Sequence, residues 1–280
     1  MRSFVVILLL ASTATSIKAF SVAMSGNQKG KMYDMPVSNN GARCRLILYK
    51  KQVNNVAIVS PMELGGLKTP EYLALNPQGK MPLLVVEGGM SIPESDTICR
   101  YLMSTYQQGP SFLPNDTKSN LIARIHDMYI TTIQGCLYKA NPPFGPFASR
   151  FDALEELKKQ LCVIDDLICE DKEGIYLCGK DVSLGDATVF PTLVFIDYLF
   201  PKFGIENAIP QKLAKWYEEV KSNDTDFEKV YNEVSTSIQQ TPYKSPNLPI
   251  TKSHFHTGSW RIGGMGFKWP LGFHLAFWTS

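Results

Sequence analysis

The stretch Asn76-Pro77-Gln78-Gly79-Lys80-Met81-Pro82-Leu83-Leu84 decides how the chain is read. It is followed, after a tight Glu87-Gly88-Gly89 turn, by Ile92-Pro93-Glu94-Ser95-Asp96-Thr97-Ile98. Pro82 lies in the apolar run Met81–Val86, directly after turn residues. A proline so placed is a candidate for a cis peptide, because only X-Pro bonds reach the cis form at small cost. A cis bond there turns the Met81 backbone N–H and C=O outward, where an extended peptide ligand can pair with them as an added strand. Glu94-Ser95 stands at the start of a predicted helix. The unpaired N–H groups of that first turn, with the Ser95 hydroxyl, form an anion site suited to a free α-carboxylate. Glu94 or Asp96 supplies the opposite charge for an α-ammonium. Taken singly, Ser95 reads as a plain helix cap and Pro82 as the end of a loop; together at this spacing they read as one site.

Outward from this stretch, Lys31–Val37 reads as a short strand and Asn39-Asn40-Gly41 as a turn. Ala42–Lys51 has helical character, Val53–Val59 reads as a second strand, and Thr69–Leu75 as a short helical turn. Met81–Val86 and Met90–Ile92 form a hairpin, and Glu94–Tyr106 a helix. The order is β-α-β-α-β-β-α, one compact α/β layer. Gln107–Pro114, with Gly109, Pro110 and Pro114, is a linker. Thr117–Gln240 then shows only helical periodicity: Leu121, Ile125 and Met128, then Leu154, Leu157, Leu161 and Ile164, then Leu213, Trp216 and Val220. Pro142-Pro143 and Gly145-Pro146 separate the first long helix from the next. Ser183-Leu184-Gly185-Asp186 is a capping box ahead of an apolar run, with Ser183 accepting from the Asp186 N–H and Asp186 reaching back to the Ser183 N–H.

Composition narrows the classes. The 280 residues are 44% hydrophobic and 19% charged, enough for two domains with their own cores, and they exclude fibrous and wholly disordered readings. Residues 1–33 and 234–280 each carry four basic side chains and no acid, so the middle holds 20 Lys+Arg against 26 Asp+Glu, a net of −6. A mildly acidic core of this kind is a poor nucleic-acid binder. Met1-Arg2-Ser3 followed by the apolar Phe4–Ala11 is too short to span a bilayer, which needs about 20 residues, and fits a signal peptide. The acid-free, Ser/Lys-containing stretch after it has the composition of a transit peptide. Residues 1–28 are therefore read as a bipartite presequence of the kind found in algae with secondary plastids, directing the chain to a plastid; plain passage through the secretory route is the alternative. Six cysteines show no C-x-x-C and no zinc spacing, so buried, reduced thiols are expected and no metal. Residues 241–280 are Pro-rich, then aromatic, basic and Gly-rich. Residues 255–280 are a candidate contact for a membrane surface or a protein partner, and equally an extension without function.

Asn76–Leu84 with Ile92–Ile98 closely resembles the glutathione-transferase signature, in which N-P-x-G-K-[VM]-P precedes a hairpin and E-S-x-A-I opens a helix. Ser183–Pro191 is similar to the S-x-A-D-x-x-x-F-P core helix of that family, with Gly185 where Ala is usual, and Lys212–Val220 to its penultimate helix. The resemblance covers roughly residues 31–235. It implies a thioredoxin-like α/β N-terminal domain at 30–107, an all-α helical C-terminal domain at 117–240 and a homodimer. Glutathione is then the co-substrate and a small-molecule electrophile its partner. Lys80, Met81, Pro82, Glu94 and Ser95 are the implied glutathione-binding residues, and the γ-glutamyl group fits them because it carries both charges on one carbon.

The family activates the glutathione sulfur with a Tyr or Ser hydroxyl, or uses a Cys, near the start of the first helix. Aligning Arg43–Leu48 with the R-V-R-x-x-L of the Ser-type classes puts Ser38 on the catalytic hydroxyl. A free thiol of pKa ~8.5 is only ~3% thiolate at pH 7, and a donated O–H bond plus the helix N-terminus lower that pKa by roughly two units. Ser38 is otherwise a plain helix cap with no catalytic part; Asn39 takes the role if the register slips by one, Tyr33 in a Tyr-type class, and Cys44 in a redox reading. Arg43 and Arg45 are either solvated or hold the glutathione carboxylate. The implied activity is conjugation of glutathione to electrophiles, or peroxide reduction. An isomerase of the maleylacetoacetate type is the alternative, although the Ser-Cys pair of that class is missing. A non-catalytic binding or assembly module is the other.

Overall fold

The residues after Lys29 pair as β1 (Gly30–Tyr33), the inner strand on which the sheet is built. The computed structural model describes residues 29–114, 116–168 and 173–240; the presequence assigned to 1–28, Cys169 and the tail at 241–280 lie outside the described residues. β2 (Val56–Val59) runs parallel to β1, while β3 (Leu83–Val86) and β4 (Ser91–Pro93) are antiparallel, giving the order β2-β1-β3-β4. All four β3 residues are buried, as in a strand covered on both faces. Tyr33, Leu83 and Val85 pack on one face with Tyr72 of α2 (Pro70–Leu75). Alternation sends Met32 and Leu84, paired in register, to the other face, the side of α1 (Asn39–Lys50) and α3 (Ser95–Thr105).

Two local expectations are corrected. The strand expected over Lys31–Val37 ends at Tyr33, because the chain turns at once to enter α1. Asn39-Asn40-Gly41, expected as a turn, is the first turn of α1: Ser38 is its N-cap, with an extended backbone and a side chain that accepts from the Gly41 N–H at 3.0 Å.

The second layer is helical: α4 (Asp116–Ile125), α5 (Arg150–Leu167), α6 (Leu184–Leu199), α7 (Gln211–Asn223) and α8 (Thr225–Gln240). The first long helix expected after residue 117 gives way at His126–Ile130 to a wider π-type turn, well before the prolines. α6 is buried on nearly every side, consistent with its uniformly apolar sequence. At its start Ser183 Oγ accepts from the Asp186 N–H at 3.3 Å and Asp186 Oδ2 accepts from the Ser183 N–H at 2.8 Å. Asp186 Oδ1 also accepts from the Leu177 N–H at 2.7 Å and from Trp216 Nε1 at 3.1 Å, so the box ties α7 and the preceding loop to α6. The fold is thus a thioredoxin-like α/β domain packed on a helical domain, joined where α1 lies against α6 and α8. Among the described residues no helix is long and apolar enough to cross a membrane.

Candidate active site

Register gathers the sequence-predicted residues at one end of the sheet. Tyr33 of β1 faces Leu83 of β3, which faces Pro93 of β4. The segments just beyond those three positions are Asp34–Ser38, Met81-Pro82 and Glu94-Ser95. The Met81-Pro82 peptide is cis. Met81 is half-buried, and no backbone bond from the described residues engages its N–H or C=O. The preceding loop is held firmly: the Lys80 carbonyl accepts from the Tyr72 hydroxyl at 2.7 Å and from Asn76 Nδ2 at 2.8 Å, which leaves the Lys80 side chain exposed beside the free edge.

Glu94 is the N-cap of α3, with φ 66° and ψ 117° and no side-chain bond to its helix. A non-glycine residue with positive φ is disfavoured by about 1–3 kcal/mol, and such residues cluster at ligand clamps. Its carboxylate is exposed. Ser95 opens α3 and accepts from Arg43 Nη1 at 3.3 Å. Neither arginine of the Arg43-x-Arg45 pair is solvated. Arg43 is 1% exposed, and beyond Ser95 it reaches Asp127 at 2.8 Å and Asp96 at 3.4 Å. Its guanidinium therefore lies directly behind the α3 N-terminus and adds positive charge to an already anion-favouring helix end.

Four groups were candidates for the sulfur-activating role. Tyr33 is 1% exposed, stacked edge-on against Tyr72, and burial followed by the Glu63 charge pushes its phenol up. Cys44 is fully buried with its sulfur 3.7 Å from that of Cys99, and burial holds its thiol well above the ordinary range. A thiol so placed is inert. Asn39 donates from Nδ2 to Gln134 Oε1 at 2.8 Å and to Thr192 Oγ1 at 3.2 Å in the helical domain, so its donors are occupied. Ser38 remains, half-buried on the α1 N-cap, with the positive end of the helix behind it.

Two polar clusters that sequence reasoning missed support this end of the sheet. Asn39, Thr192, His126, Asp127 and Arg43 form a chain across the domains, with His126 Nε2 2.7 Å from Thr192 Oγ1 and His126 Nδ1 3.0 Å from Asp127 Oδ1. With Thr192 donating to Nε2, the imidazole is neutral and carries its proton on Nδ1; burial lowers the His126 pKa accordingly. Burial would raise the Asp127 carboxyl, but the His126 hydrogen bond and the Arg43 charge outweigh it and hold it at about 2. The second cluster centres on Arg45, which pairs with Asp34, donates to the Met35 and Pro36 carbonyls at 3.1 and 2.9 Å, and reaches Glu233 of α8 at 2.8 Å. It clamps the loop that delivers Ser38. Among the described residues no group of three or more His, Cys, Asp or Glu side chains is placed to hold a metal.

A thioredoxin-like layer with a free strand edge, a helix N-terminus and a capping hydroxyl at one end, packed on a helical domain, defines the class: a two-domain thioredoxin-like protein with an open polar edge at one end of its sheet. The chain matches the family model "Glutathione S-transferase, N-terminal domain" over residues 32–110 and "Glutathione S-transferase, C-terminal domain" over residues 145–219. It is 38% identical over 196 residues to glutathione S-transferase 3 of Zea mays, covering 66% of this chain and 86% of that protein. With glutathione S-transferase F10 of Arabidopsis thaliana it shares 28% over 197 residues, covering 67% and 90%. A match to the maleylacetoacetate isomerase of Pseudomonas aeruginosa is 32% over 110 residues and spans only 38% of this chain and 49% of that protein. Among solved structures, glutathione S-transferase III in apo form superposes with a TM-score of 0.56 at 29% identity, covering 72% of this chain and 95% of that one. A diazinon-metabolizing glutathione S-transferase of Bombyx mori, at 20% identity and TM-score 0.59 over 75% of this chain and 99% of that one, shares the fold. The protein belongs to the glutathione S-transferase family.

Proposed function

We propose that the protein conjugates the glutathione thiolate to small electrophiles, with Ser38 donating its hydroxyl hydrogen to the sulfur. The observation that carries this reading is the strand register that sets Asp34–Ser38, Met81-Pro82 and Glu94-Ser95 side by side. Glutathione lies extended along the Met81 edge, its backbone pairing with the Met81 N–H and C=O beside Lys80 and Pro82. Its γ-glutamyl carboxylate meets the α3 N-terminus and the Ser95 hydroxyl, and its ammonium meets Glu94. The electrophile approaches from the helical domain, where Tyr129 and Tyr138 are exposed. Peroxides fit the same thiolate as substrates. We take the assembly to be a homodimer and the destination a plastid, the latter on the strength of the presequence alone.

The test is turnover of chlorodinitrobenzene by the full chain and by Ser38→Ala. If the hydroxyl accounts for two pKa units, Ser38→Ala lowers turnover at pH 7 by about 25-fold while retention on immobilised glutathione persists. A wild-type chain that binds glutathione yet never turns over any electrophile identifies a binding module instead. The partial likeness to the isomerase favours a second assay, on maleylacetoacetate. Against that activity stands Asn39, which occupies the position after the serine and is already bound to Gln134 and Thr192.

A further inference from the structure

The helical domain holds a hollow of its own, built from elements that carry none of the residues of the glutathione edge. The end of α6, the short Phe200–Phe203 turn, the loop at 205–209 and one side of α7 enclose about 200 Å3. Phe200, Ile205 and the Tyr217 ring, all buried, give it an apolar interior, while Asp197 and Glu218 line it from exposed positions and so mark its mouth. Two polar groups there lack the partners their surroundings call for. The Tyr217 side chain is 2% exposed, and its hydroxyl makes no hydrogen bond among the described residues, although buried polar groups are as a rule paired. The Asp197 carboxylate likewise has no hydrogen bond and no ion pair among the described residues. Glu218 differs, because Lys221 pairs with it at 2.6 Å and lies 5.0 Å from the Tyr217 ring. Two carboxylates against one ammonium leave the mouth with one negative charge in excess, and that charge is on Asp197.

We propose that this hollow is a second binding site, separate from the glutathione edge, for a small protonated arylalkylamine. The volume sets the size of the ligand. A cavity of about 150 Å3 holds a benzene ring, so this one has room for a ring with a short chain and is too small for a drug-sized molecule. The ring lies in the apolar interior against Phe200, Ile205 and Tyr217, where its burial supplies the attraction. The ammonium sits at the mouth and provides the counter-charge that Asp197 lacks. It carries three donors, enough to serve the Asp197 carboxylate and the Tyr217 oxygen together, and the face of the Tyr217 ring attracts a cation as it already attracts Lys221. Burial raises the Asp197 carboxyl against the pull of Lys221, with Glu218 adding to the rise, as expected of a carboxylate that has given up hydration without gaining a partner. The same charges reject an organic anion of equal size, which would meet two carboxylates at the mouth. Binding makes and breaks no covalent bond, and the site stands whether or not the chain turns glutathione over.

The test is calorimetric titration of the full chain at pH 7 with 2-phenylethylamine, and with phenylacetate as the same ring bearing the opposite charge. Wild type is compared with Asp197→Asn and with Ala214→Leu, which fills the hollow from α7. The amine is expected to saturate one site per chain, with phenylacetate weaker by about tenfold or more. Asp197→Asn should weaken the amine by about fivefold or more, Ala214→Leu should abolish its binding, and saturating glutathione should leave it unchanged. No saturation below about 10 mM amine, equal binding of phenylacetate, an unaltered affinity in Asp197→Asn, or displacement of the amine by glutathione overturns the proposal. Should Ala214→Leu not fold, Asp197→Asn decides, since it changes an exposed side chain by one atom.

Discussion

Gly41 shows how one missing methyl group shapes the site. The Asp34 carboxylate occupies the space a side chain would fill, so Gly41→Ala forces either the carboxylate or the α1 N-terminus to move. Overpacking of this kind costs about 1–3 kcal/mol, and the expected outcome is a lowered thermal midpoint together with loss of turnover. Two carboxylates shape stability against pH in opposite senses. The Asp34 carboxyl is raised to about 6, so the folded state holds its proton more tightly than the unfolded chain does. Its contribution is complete below about pH 4 and is lost as pH rises through 6, a change of about 3 kcal/mol. Asp127, held at about 2, contributes above pH 4 and loses roughly 2 kcal/mol only as pH falls through 2. Urea unfolding of wild type and Asp34→Asn checks the first: between pH 4 and 6.5 the stability of wild type relative to the variant should fall. Of these residues, Ser38, Met81-Pro82 and Glu94-Ser95 stand out in the one-dimensional string because each sits at a turn or helix start with its own chemistry. Asp34, His126 and Asp127 do not, because a buried polar side chain differs from an exposed one only through partners distant in sequence.

Helix boundaries follow from caps more than from apolar spacing. Ser38, Ser149 and Ser183 each cap the helix that follows by accepting from an N–H three residues on. Ser183 carries the largest share, since its partner Asp186 also holds the Leu177 N–H and the Trp216 indole. Ser183→Ala should destabilise the helical domain by about 1–2 kcal/mol, read as a lower urea midpoint with an unchanged slope. The same logic explains why Asn39-Asn40-Gly41 is helix rather than turn: with Ser38 satisfying the Gly41 N–H, three residues that favour turns in isolation become an ordinary first helical turn. α6 carries Pro191 in its interior, where the missing N–H removes one bond from the helical ladder.

At the scale of the whole molecule, buried charge ties the two domains together. Arg43 joins α1 to Asp127, and Arg45 joins the Ser38 loop to Glu233 of α8, whose other oxygen accepts from Tyr49 at 2.8 Å. Glu233→Ala removes both of those bonds and leaves a nearly buried guanidinium with one carboxylate fewer. A loss of about 2–4 kcal/mol is expected, with both domains still unfolding in one transition. Sedimentation of the full chain at about twice its 31.3 kDa mass would bear out the proposed homodimer, and a single-chain mass would refute it.

The order β-α-β-α-β-β-α, the helical second half, the Met81-Pro82 and Glu94-Ser95 landmarks and the Ser183–Asp186 box were all legible in the amino-acid string, because each rests on periodicity or on contacts a few residues apart. What surrounds Ser38, Asn39, Tyr33 and Cys44 was decided only by the tertiary fold. Strand pairing buried Tyr33 against Tyr72, helix packing enclosed Cys44 beside Cys99, and the helical domain captured the Asn39 amide through Gln134 and Thr192. Burial and partnership are properties of residues brought together from far apart along the chain, and local spacing carries no record of them.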